Sequence, residues 1–377
     1  MNPRALIIGG GPAGLSAGIA LARAGYDAEV HEQRAEWKGR VCGSFMNPDA
    51  VRALEWLGLF DEARRRGAVP VTETEIVAPG GRHSAVSTVQ DGTPSLAFQR
   101  HKLEDLLTET LEESGGRLVL GSRVVRVARR GSQWIAGARQ GEFIADITAK
   151  ILVRAGGRFS EEPTPHAGGW YGWNALFSGV SQSPGEMAMY FGRRGYAGVL
   201  TFSDGTTNIC GLTYRRPGDA AIWEEVFRAM QDEQPEFRKL TDHARRLDEW
   251  HGVGPLPFTP RPRRSEDAIL AGDAGAVGDP FMGEGIGRAL ATAPLIAAAI
   301  ERAAAGGDIV QHYRLLWRRA YSSRLTIGWA ARWLLERPWI ASPLIGGLLR
   351  PAVISRATPL FHRGAGFQRV GPPTRQS

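Results

Sequence analysis

A glycine motif between an apolar strand and a helix determines how the N-terminal part of the chain can fold. Residues 4–10 read RALIIGG, a short apolar run typical of a buried parallel strand. Residues 9–14, GGGPAG, match G-x-G-x-x-G, and the small and apolar residues from Leu15 to Ala24 predict a helix packed on a sheet. YDAEVHE (26–32) predicts a second strand. This βαβ start indicates a Rossmann-like parallel sheet.

The glycines of this motif have separate tasks in a dinucleotide site. Gly9 allows the tight turn, Gly11 lets a pyrophosphate approach the backbone, and Gly14 lets helix and strand pack closely. Glu32, at the end of the second strand, is placed to accept ribose hydrogen bonds, and its charge disfavours the 2′-phosphate of NADP. The predicted cofactor-binding set around this motif also includes Pro12, Ala13 and Gln33.

The rest of the chain alternates between helical and strand patterns. NPDAVRALEWLGL (47–59) has Asn47 as N-cap and Pro48 at the first helical position, and RHKLEDLLTETLEESGG (100–116) places its leucines on one helix face. The period is close to two over 117–153 and about 170–212, which predicts strands and a hairpin within YAGVLTFSDGTTNICGL (196–212). Helices are expected at 221–231 and 235–245, and again from the late glycine segment to about residue 335.

These patterns predict an α/β protein whose nucleotide domain is assembled from discontinuous pieces around an inserted antiparallel-sheet domain. We expect the nucleotide domain to comprise residues 1–70, 97–160 and 266–305. The inserted substrate domain is expected at 71–96 and 161–265, and a helical region and tail at 306–377.

A second glycine-rich segment follows an apolar strand pattern late in the chain. Residues 272–290 read GDAGAVGDPFMGEGIGRAL, with six glycines in the first sixteen positions. Glycine loses more conformational freedom on folding than any other residue, so this density indicates a backbone requirement. Close approach of main chain to a ligand is one such requirement.

The two glycine segments together resemble one family of flavoproteins. GGGPAGLSAGIALARAGYDAEVHE (9–32) and LAGDAGAVGDPFMGEGIGRAL (270–290) are similar to FAD-dependent oxidoreductases of the superfamily of p-hydroxybenzoate hydroxylase-like monooxygenases and geranylgeranyl-reductase-like enzymes. The resemblance spans Ala5 to about Ala305, and RVCGSFMNPDAVRALEWLGL (40–59) is most similar to the reductase-like branch. It implies an FAD/NAD(P)-binding fold of the Rossmann type.

The resemblance also implies positions for the cofactor contacts. Asp273 would bond the ribityl chain of FAD, and Arg100 would lie beside the phosphates or ribityl chain, with Arg40 also facing the cofactor. A turn or N-cap role for Asp273 and an exposed helix start for Arg100 are the alternatives. Gly283, Glu284, Gly285 and Ile286 would bring backbone next to the isoalloxazine ring. Val125 (or Val124) would supply backbone contacts beside the adenine, and Gly272 and Pro280 complete the predicted set in the late segment.

One segment departs from the family pattern. Monooxygenases of this superfamily carry G-A-D-G-x-x-S before the inserted domain, where this chain reads RAGGRFS (154–160). Gly156 stands in place of the aspartate, which in the family assists both FAD and the nicotinamide donor. The departure weakens the case for a self-sufficient NAD(P)H-dependent hydroxylase. NADH or NADPH remains a candidate transient electron donor.

Cofactor chemistry is expected because no catalytic triad or metal-site motif is present in the sequence. We predict an oxidoreductase acting on an apolar or aromatic small molecule, by oxygen transfer or by hydride transfer to an activated or isoprenoid double bond. Cys42 is a candidate proton donor, with inert packing as the alternative. A non-catalytic FAD-binding electron carrier is the rival from another class. A halogenase is disfavoured because no lysine lies between Lys38 and Lys102 and WYGWNALF (170–177) lacks W-x-W-x-I-P.

Composition limits the partners. The formal charge is +7, but only four of the 46 basic residues are lysines and no nucleic-acid motif accompanies them, so we interpret the arginines as solvated surface. Two cysteines cannot build a disulfide framework or a metal site, and a reducing cytoplasm is expected. The apolar segment 338–349 is too short and broken to span a bilayer, which leaves at most peripheral membrane contact.

Overall fold

A computed structural model of the protein describes residues 2–37, 39–78, 81–159, 169–219, 222–259 and 261–335. Ser160, Ala221 and the apolar segment 338–349, which carry predictions above, lie outside the described residues. The α-helices are α1 (Pro12–Arg23), α2 (Pro48–Leu57), α3 (Phe60–Arg65), α4 (Arg100–Glu113), α5 (Trp223–Glu233), α6 (Pro235–Thr241), α7 (Gly285–Leu290), α8 (Thr292–Ala304) and α9 (Ile309–Leu335). None of them is long and apolar enough to cross a membrane.

The strands form four sheets and are numbered along the chain. They are β1 (Arg4–Ile8), β2 (Asp27–His31), β3 (Phe45–Met46), β4 (Val69–Val71), β5 (Glu73–Ala78), β6 (Arg82–Ser87), β7 (Ser95–Ala97), β8 (Arg117–Val119), β9 (Ser122–Arg130), β10 (Gln133–Gln140), β11 (Phe143–Ala149), β12 (Ile151–Arg154), β13 (Gly169–Ser178), β14 (Met187–Gly192), β15 (Gly195–Thr201), β16 (Thr207–Arg215), β17 (Arg245–Arg246), β18 (His251–Val253) and β19 (Ile269–Leu270). Short 3₁₀ turns occupy Gly157–Phe159, Gly272–Ala274 and Pro280–Met282.

The five-stranded parallel sheet is assembled from distant parts of the chain. Its order is β19-β12-β1-β2-β8, and every neighbouring pair is parallel. The central strand β1 is covered on both faces, with Ala5, Leu6 and Ile7 fully buried. The predicted α/β fold class is therefore confirmed, with strands from both ends of the described chain in one sheet.

Helix α1 begins earlier than the apolar pattern alone indicates. Gly11 is its N-cap and Pro12 its first residue, since the fixed φ of proline suits a first helical turn. Residues 12–21 are all buried, because small side chains let the helix pack closely between the sheet and α8. The motif loop is thereby held rigidly at the end of β1.

The eight-stranded sheet joins the two segments predicted to form the inserted domain. Its order is β17-β13-β16-β15-β14-β5-β6, with β18 paired to β13, and β5 runs parallel to β14. One face carries a core that includes Trp173, Phe177 and Tyr190 and packs against Phe227 and Phe237 of α5 and α6. The opposite face is free to border a cavity. Antiparallel β9–β11 and β3-β7-β4 form the two remaining sheets.

The second of the two predicted mid-chain helices ends early. Helix α6 stops at Thr241, whose hydroxyl donates to the carbonyl of Phe237, and Arg245–Arg246 pair with the edge of β13 instead of extending the helix. Pairing with a distant strand overrides the local helical pattern here.

A buried polar cluster joins β2, β8 and β9. The ring of His31 hydrogen-bonds Ser122 Oγ (2.7 Å) and Glu29 Oε1 (2.8 Å), and Arg117 donates to Glu29 Oε2 (2.6 Å). The hydrogen bond from His31, reinforced by Arg117, lowers the pKa of Glu29 to about 2. An ionised Glu29 therefore stabilises the native state.

Stability should depend on pH through Glu29. Its contribution is present above its unfolded pKa of about 4.5 and is lost as pH falls toward about 2, since the folded pKa is depressed. Glu29→Gln should lower the free energy of unfolding by about 1–3 kcal/mol near neutral pH, and the difference should shrink below about pH 4.5. Urea unfolding at several pH values measures this, with the exposed Glu112→Gln as control. A difference from wild type that is constant across this pH range would contradict the assignment.

Candidate functional site

A cavity of about 1030 Å³ lies where the carboxyl edge of the parallel sheet meets one face of the eight-stranded sheet. Its lining includes Gly9 after β1, Glu32 after β2, Ala155 after β12 and Ala271 after β19. Ligands of open α/β sheets bind at this edge. The volume is at the upper end of the usual range of about 300–1,000 Å³, so the cavity has room for a large ligand.

The motif glycines at the mouth of the first loop meet different surroundings. Gly9 has a φ of +106°, and a Cβ built on Gly14 would lie 1.8 Å from the carbonyl oxygen of Gly9. Both positions therefore require glycine for the fold itself. A Cβ on Gly11 would meet only guanidinium atoms of Arg40 and Arg100, at 3.6 and 3.7 Å. Gly11 is thus open toward the cavity.

Glu32 lies in the cavity wall with its carboxylate held by backbone donors. The amide of Gly10 donates to Oε2 (2.8 Å), and the amide of Arg34 donates to Oε1 (3.1 Å). Glu32 is buried, and the adjacent Gln33 also lines the cavity. The structure brings both residues beside Gly11, Pro12 and Ala13, as the motif predicts.

Two arginines converge on the open side of Gly11. Arg100 Nε donates to Glu104 Oε1 (2.9 Å), and Arg40 Nε lies 3.5 Å from the same oxygen. Burial lowers the pKa of Arg40. Among the described residues, its buried Nε and Nη2 have no hydrogen-bond partner. Two guanidinium groups beside an unobstructed loop form a favourable site for an anion such as a phosphate.

The late glycine segment lies directly against the first loop. Gly272 has a φ of +57°, and a Cβ there would lie 2.8 Å from Cβ of Ala13. The next residue, Asp273, lines the cavity, and its Oδ1 accepts from Arg288 Nη2 (3.0 Å). Two segments at opposite ends of the chain therefore border one cavity, and Asp273 is a partner in a charged pair there.

The backbone from residue 283 to 286 forms another part of the wall. Gly283 has a φ of +62°, and Gly285 has no atom within 4 Å of the position where a Cβ would be. Gly283, Gly285 and Ile286 line the cavity together with Pro280, whereas the Glu284 side chain is buried away from it. Helix α7 starts at Gly285 as predicted, but it has only six residues. The bare backbone is therefore the more important feature of this wall.

Comparisons with known proteins indicate a flavoprotein. A family model described as an FAD binding domain matches residues 3–162. The menaquinone reductase of Mycobacterium tuberculosis H37Rv is 28% identical over 336 residues, covering 78% of this chain and 75% of that protein. The aurachin C monooxygenase/isomerase of Stigmatella aurantiaca is 28% identical over 183 residues, covering 45% and 46%.

A solved structure resembles the fold over nearly its full length. The geranylgeranyl bacteriochlorophyll reductase-like protein of Thermoplasma acidophilum matches with a TM-score of 0.77, with 18% identity and 97% coverage of each chain. The family model, the relatives and the two joined glycine segments agree. The chain is an FAD-dependent oxidoreductase, and it resembles the superfamily named above.

The far end of this flavoprotein's cavity is apolar and aromatic. Tyr196 of β15 and Phe281 lie with ring centroids 6.1 Å apart, and Phe191 packs against both. Burial raises the pKa of Tyr196 well above its ordinary value. Of the aromatic residues of β13–β15, Tyr196 lines the cavity whereas Phe177 and Tyr190 belong to the core on the other face.

Both cysteines line the same cavity. Cys42 Sγ accepts from the amide of Ser44 (3.3 Å) and from Arg100 Nη1 (3.7 Å), and its carbonyl accepts from Asn208 Nδ2 (2.9 Å). Burial raises the pKa of Cys210 to about 12, so this thiol stays protonated at neutral pH. The sequence alone did not indicate that Cys210 would share the site with Cys42.

Three further positions of the predicted cofactor-binding set do not line the cavity: Val125, Gly14 and Gly272. Val125 is exposed on β9, and its neighbour Val124 lines the cavity, because side chains alternate between the two faces of a strand. Gly14 and Gly272 support the loops without lining the cavity. Gly156, in the segment that departs from the family pattern, lines the cavity together with Arg158.

Sequence reasoning missed Arg288, which lines the cavity and is 3% exposed. It lies in GIGRAL (285–290), and an arginine among small and apolar helix residues was the available signal. His31 also lines the cavity, although its ring is fully engaged in the Glu29 cluster.

Alanine at two glycines of one motif should separate folding from cofactor binding. Gly11→Ala adds a methyl group at ordinary contact distance in a helical N-cap position with φ −71°, so the protein should fold with nearly unchanged stability. Its FAD affinity should fall at least about tenfold because the methyl group obstructs the approach to the loop. Gly14→Ala should instead destabilise the fold by about 1–3 kcal/mol or more.

Thermal unfolding without cofactor and FAD titration by flavin fluorescence measure the two effects. An unchanged FAD dissociation constant in Gly11→Ala would show that the ligand does not approach this loop.

Proposed function

We propose that FAD lies along the cavity with its pyrophosphate at the loop of Gly11. Arg40 and Arg100 would bind the phosphates, since both guanidinium groups border the open side of that loop and Arg40 has buried nitrogens without a hydrogen-bond partner among the described residues. Glu32 would accept the ribose hydroxyls and Asp273 the ribityl hydroxyls. The cradle fits this cofactor because it is bare of side chains at Gly11 and Gly285 and basic where phosphates would lie.

The isoalloxazine ring would lie along Gly283, Gly285 and Ile286. A planar ring needs main chain within contact distance, and the space around Gly285 permits this. Bound there, FAD supplies hydride transfer or, with oxygen, oxygen-atom transfer. The ring would face the apolar wall of the eight-stranded sheet, which supports a site from which water is excluded.

We propose that the substrate is a large apolar molecule and that the reaction is reduction of its double bond or quinone. The supporting observation is the length of the apolar wall. Lining residues come from β18, β13, β16, β15, β14, β5 and β6, seven neighbouring strands of one sheet. Six strand spacings of about 4.8 Å extend over about 29 Å. Such a wall suits an extended isoprenoid-type chain better than a single small ring.

The similarity to the menaquinone reductase, which covers 78% of this chain, supports the same choice. A menaquinone combines a flat ring for the flavin with a long apolar chain for the sheet. Oxygen transfer is the second candidate, favoured by the shorter similarity to the aurachin C monooxygenase/isomerase. Gly156, at the position of the family's aspartate, weighs against an NAD(P)H-dependent hydroxylase.

Cys42 is the proposed proton donor to the substrate atom that is protonated on reduction, which is a carbon of a double bond or an oxygen of a quinone. Its sulfur lies in the cavity wall, and the two N–H donors from Ser44 and Arg100 would stabilise the thiolate left after proton transfer. Cys210 is unsuited to this task because burial keeps its pKa at about 12.

Reductive and oxidative half-reactions distinguish the two candidate functions. We expect the FAD-loaded protein to be reduced anaerobically by NADH, NADPH or dithionite, and then reoxidised by a menaquinone or by an isoprenoid alkene. The product should gain two hydrogens, as seen by mass spectrometry. A product that gains one oxygen atom, formed only in air, would establish the monooxygenase instead. A protein that takes up no FAD would contradict both.

Blocking the distant part of the apolar wall should change the length of substrate that is accepted. Ile76 of β5 lines the cavity and lies four strands away from β13 in the sheet. Its register partner on the neighbouring strand β14 is Met189. Ile76→Trp should raise the KM for a long-chain quinone at least about tenfold by removing room for the chain. The KM for a short-chain analogue should stay within about twofold. Equal effects on both substrates would contradict the extended binding mode.

Removing the Cys42 thiol should slow the oxidative half-reaction only. Cys42→Ala should reduce the rate of flavin reoxidation by substrate about 10²-fold, the usual magnitude for loss of a general acid. The rate of flavin reduction by dithionite should be unchanged. The reoxidation rate of Cys42→Ser should lie between those of the wild type and Cys42→Ala. Stopped-flow absorbance at the flavin band measures each step. Wild-type reoxidation in Cys42→Ala would assign the residue to packing.

A further inference from the structure

A row of alternating buried charges leads from α9 to the cavity. Arg324 of α9 donates to Asp49 of α2, and its Nε lies 3.2 Å from Glu284 Oε1. Arg288 Nη1 lies 3.9 Å from Glu284 Oε2, and Arg288 Nη2 donates to Asp273 Oδ1 at 3.0 Å. The row therefore ends at the side chains of Arg288 and Asp273, which both line the cavity.

These charges are more deeply buried than a surface network. The side chain of Arg288 is 3% exposed and that of Arg324 4%, and Nε of Arg288 is buried without a hydrogen-bond partner among the described residues. Removing such ions from water costs several kcal/mol each, and apolar residues of similar volume often stabilise a fold as well. A stability role alone does not account for placing an arginine here.

We propose that Arg288 is a potential-setting residue, a buried cation that favours the reduced form of the bound flavin. This inference rests on the proposed placement of FAD in the cavity. Two-electron reduction increases the negative charge of the cofactor, and a fixed cation in a low-dielectric wall interacts with that charge more strongly than one in water. Glu284, Arg324 and Asp49 position the guanidinium of Arg288 from the side away from the cavity.

The surroundings of Arg288 support this assignment over its neighbour Arg158. Arg158 also faces Asp273, but at 3.8 Å and with 29% of its side chain exposed, so solvent screens its charge. Gly278 leaves room for the guanidinium of Arg288, since a Cβ there would lie 2.8 Å from Nη1. Arg288 is thus held at one place in the wall by charge on one side and by close packing on another.

The midpoint potential of bound FAD tests the proposal. Arg288→Met should weaken binding of reduced FAD at least about tenfold more than binding of oxidised FAD, which lowers the two-electron potential by about 30 mV or more. Arg288→Lys keeps the charge and should change the ratio of the two affinities by less than about threefold. Arg319→Met, the same change at an exposed position of α9, is the control and should leave the potential unchanged.

Asp273, the ion-pair partner of Arg288, provides a second test of the proposal that does not depend on whether Arg288→Met is stable. Asp273→Asn removes the balancing negative charge, so reduced FAD should be favoured and the potential should rise by about the same amount. The double variant Arg288→Met/Asp273→Asn restores the local net charge and should have a potential between those of the single variants. Anaerobic titration against a reference dye gives the potentials, and fluorescence titration gives the affinity for oxidised FAD.

An Arg288→Met protein that binds FAD at the wild-type potential would overturn the inference. A midpoint potential that falls as far in Arg288→Lys as in Arg288→Met would also overturn it, and so would a potential that does not rise in Asp273→Asn. These results would leave the proposed oxidoreductase function intact, because FAD would still bind and turn over. A wild-type protein that binds no FAD would overturn both proposals.

Discussion

The contact between Gly272 and Ala13 is the constraint on which the rest of the site depends. A Cβ on Gly272 would lie 2.8 Å from Cβ of Ala13, so only glycine permits this approach of the two loops. The approach in turn places Asp273 and the bare backbone near Gly285 beside the N-terminal motif. Parallel pairing of β19 with β12 and of β12 with β1 holds the two loops at the same edge of the sheet. One cavity is therefore bordered by two segments that lie far apart in the sequence.

The eight-stranded sheet separates a structural task from a binding task by its two faces. One face forms an aromatic core under α5 and α6 that includes Trp173 and Phe177. The other presents Met189, Tyr196 and Leu212 toward the cavity. Side chains of a strand alternate between its faces, so one set of strands serves both tasks without added elements. This division places Phe177 and Tyr190 in the core and Tyr196 in the cavity wall.

Local patterns predicted most of the framework and less of the site. The βαβ start, the Asn47 cap of α2 and the leucine face of α4 depend on neighbouring residues and were predicted, and the Asn47 side chain accepts from the amide of Ala50. The end of α6 was predicted wrongly because strand pairing with β13 is a long-range effect. The proximity of Cys210 to Cys42 and of Arg288 to Asp273 could not be predicted from local patterns either, because only folding brings these residues together.

The arginine content has a different explanation from the one that composition alone favours. The sequence indicates solvated surface, yet Arg288 and Arg324 are buried and Arg40 and Arg100 are half-buried at the cavity. A guanidinium stays charged when it is buried and can bond carboxylates on two sides, whereas a buried lysine readily loses its proton. Each of these four arginines has a buried acidic neighbour. Glu104 is the neighbour of Arg40 and Arg100, Glu284 that of Arg288, and Asp49 that of Arg324. Paired in this way, fixed positive groups can be kept in an apolar wall at two points, which we propose serve the phosphates and the charge that reduction brings to a flavin.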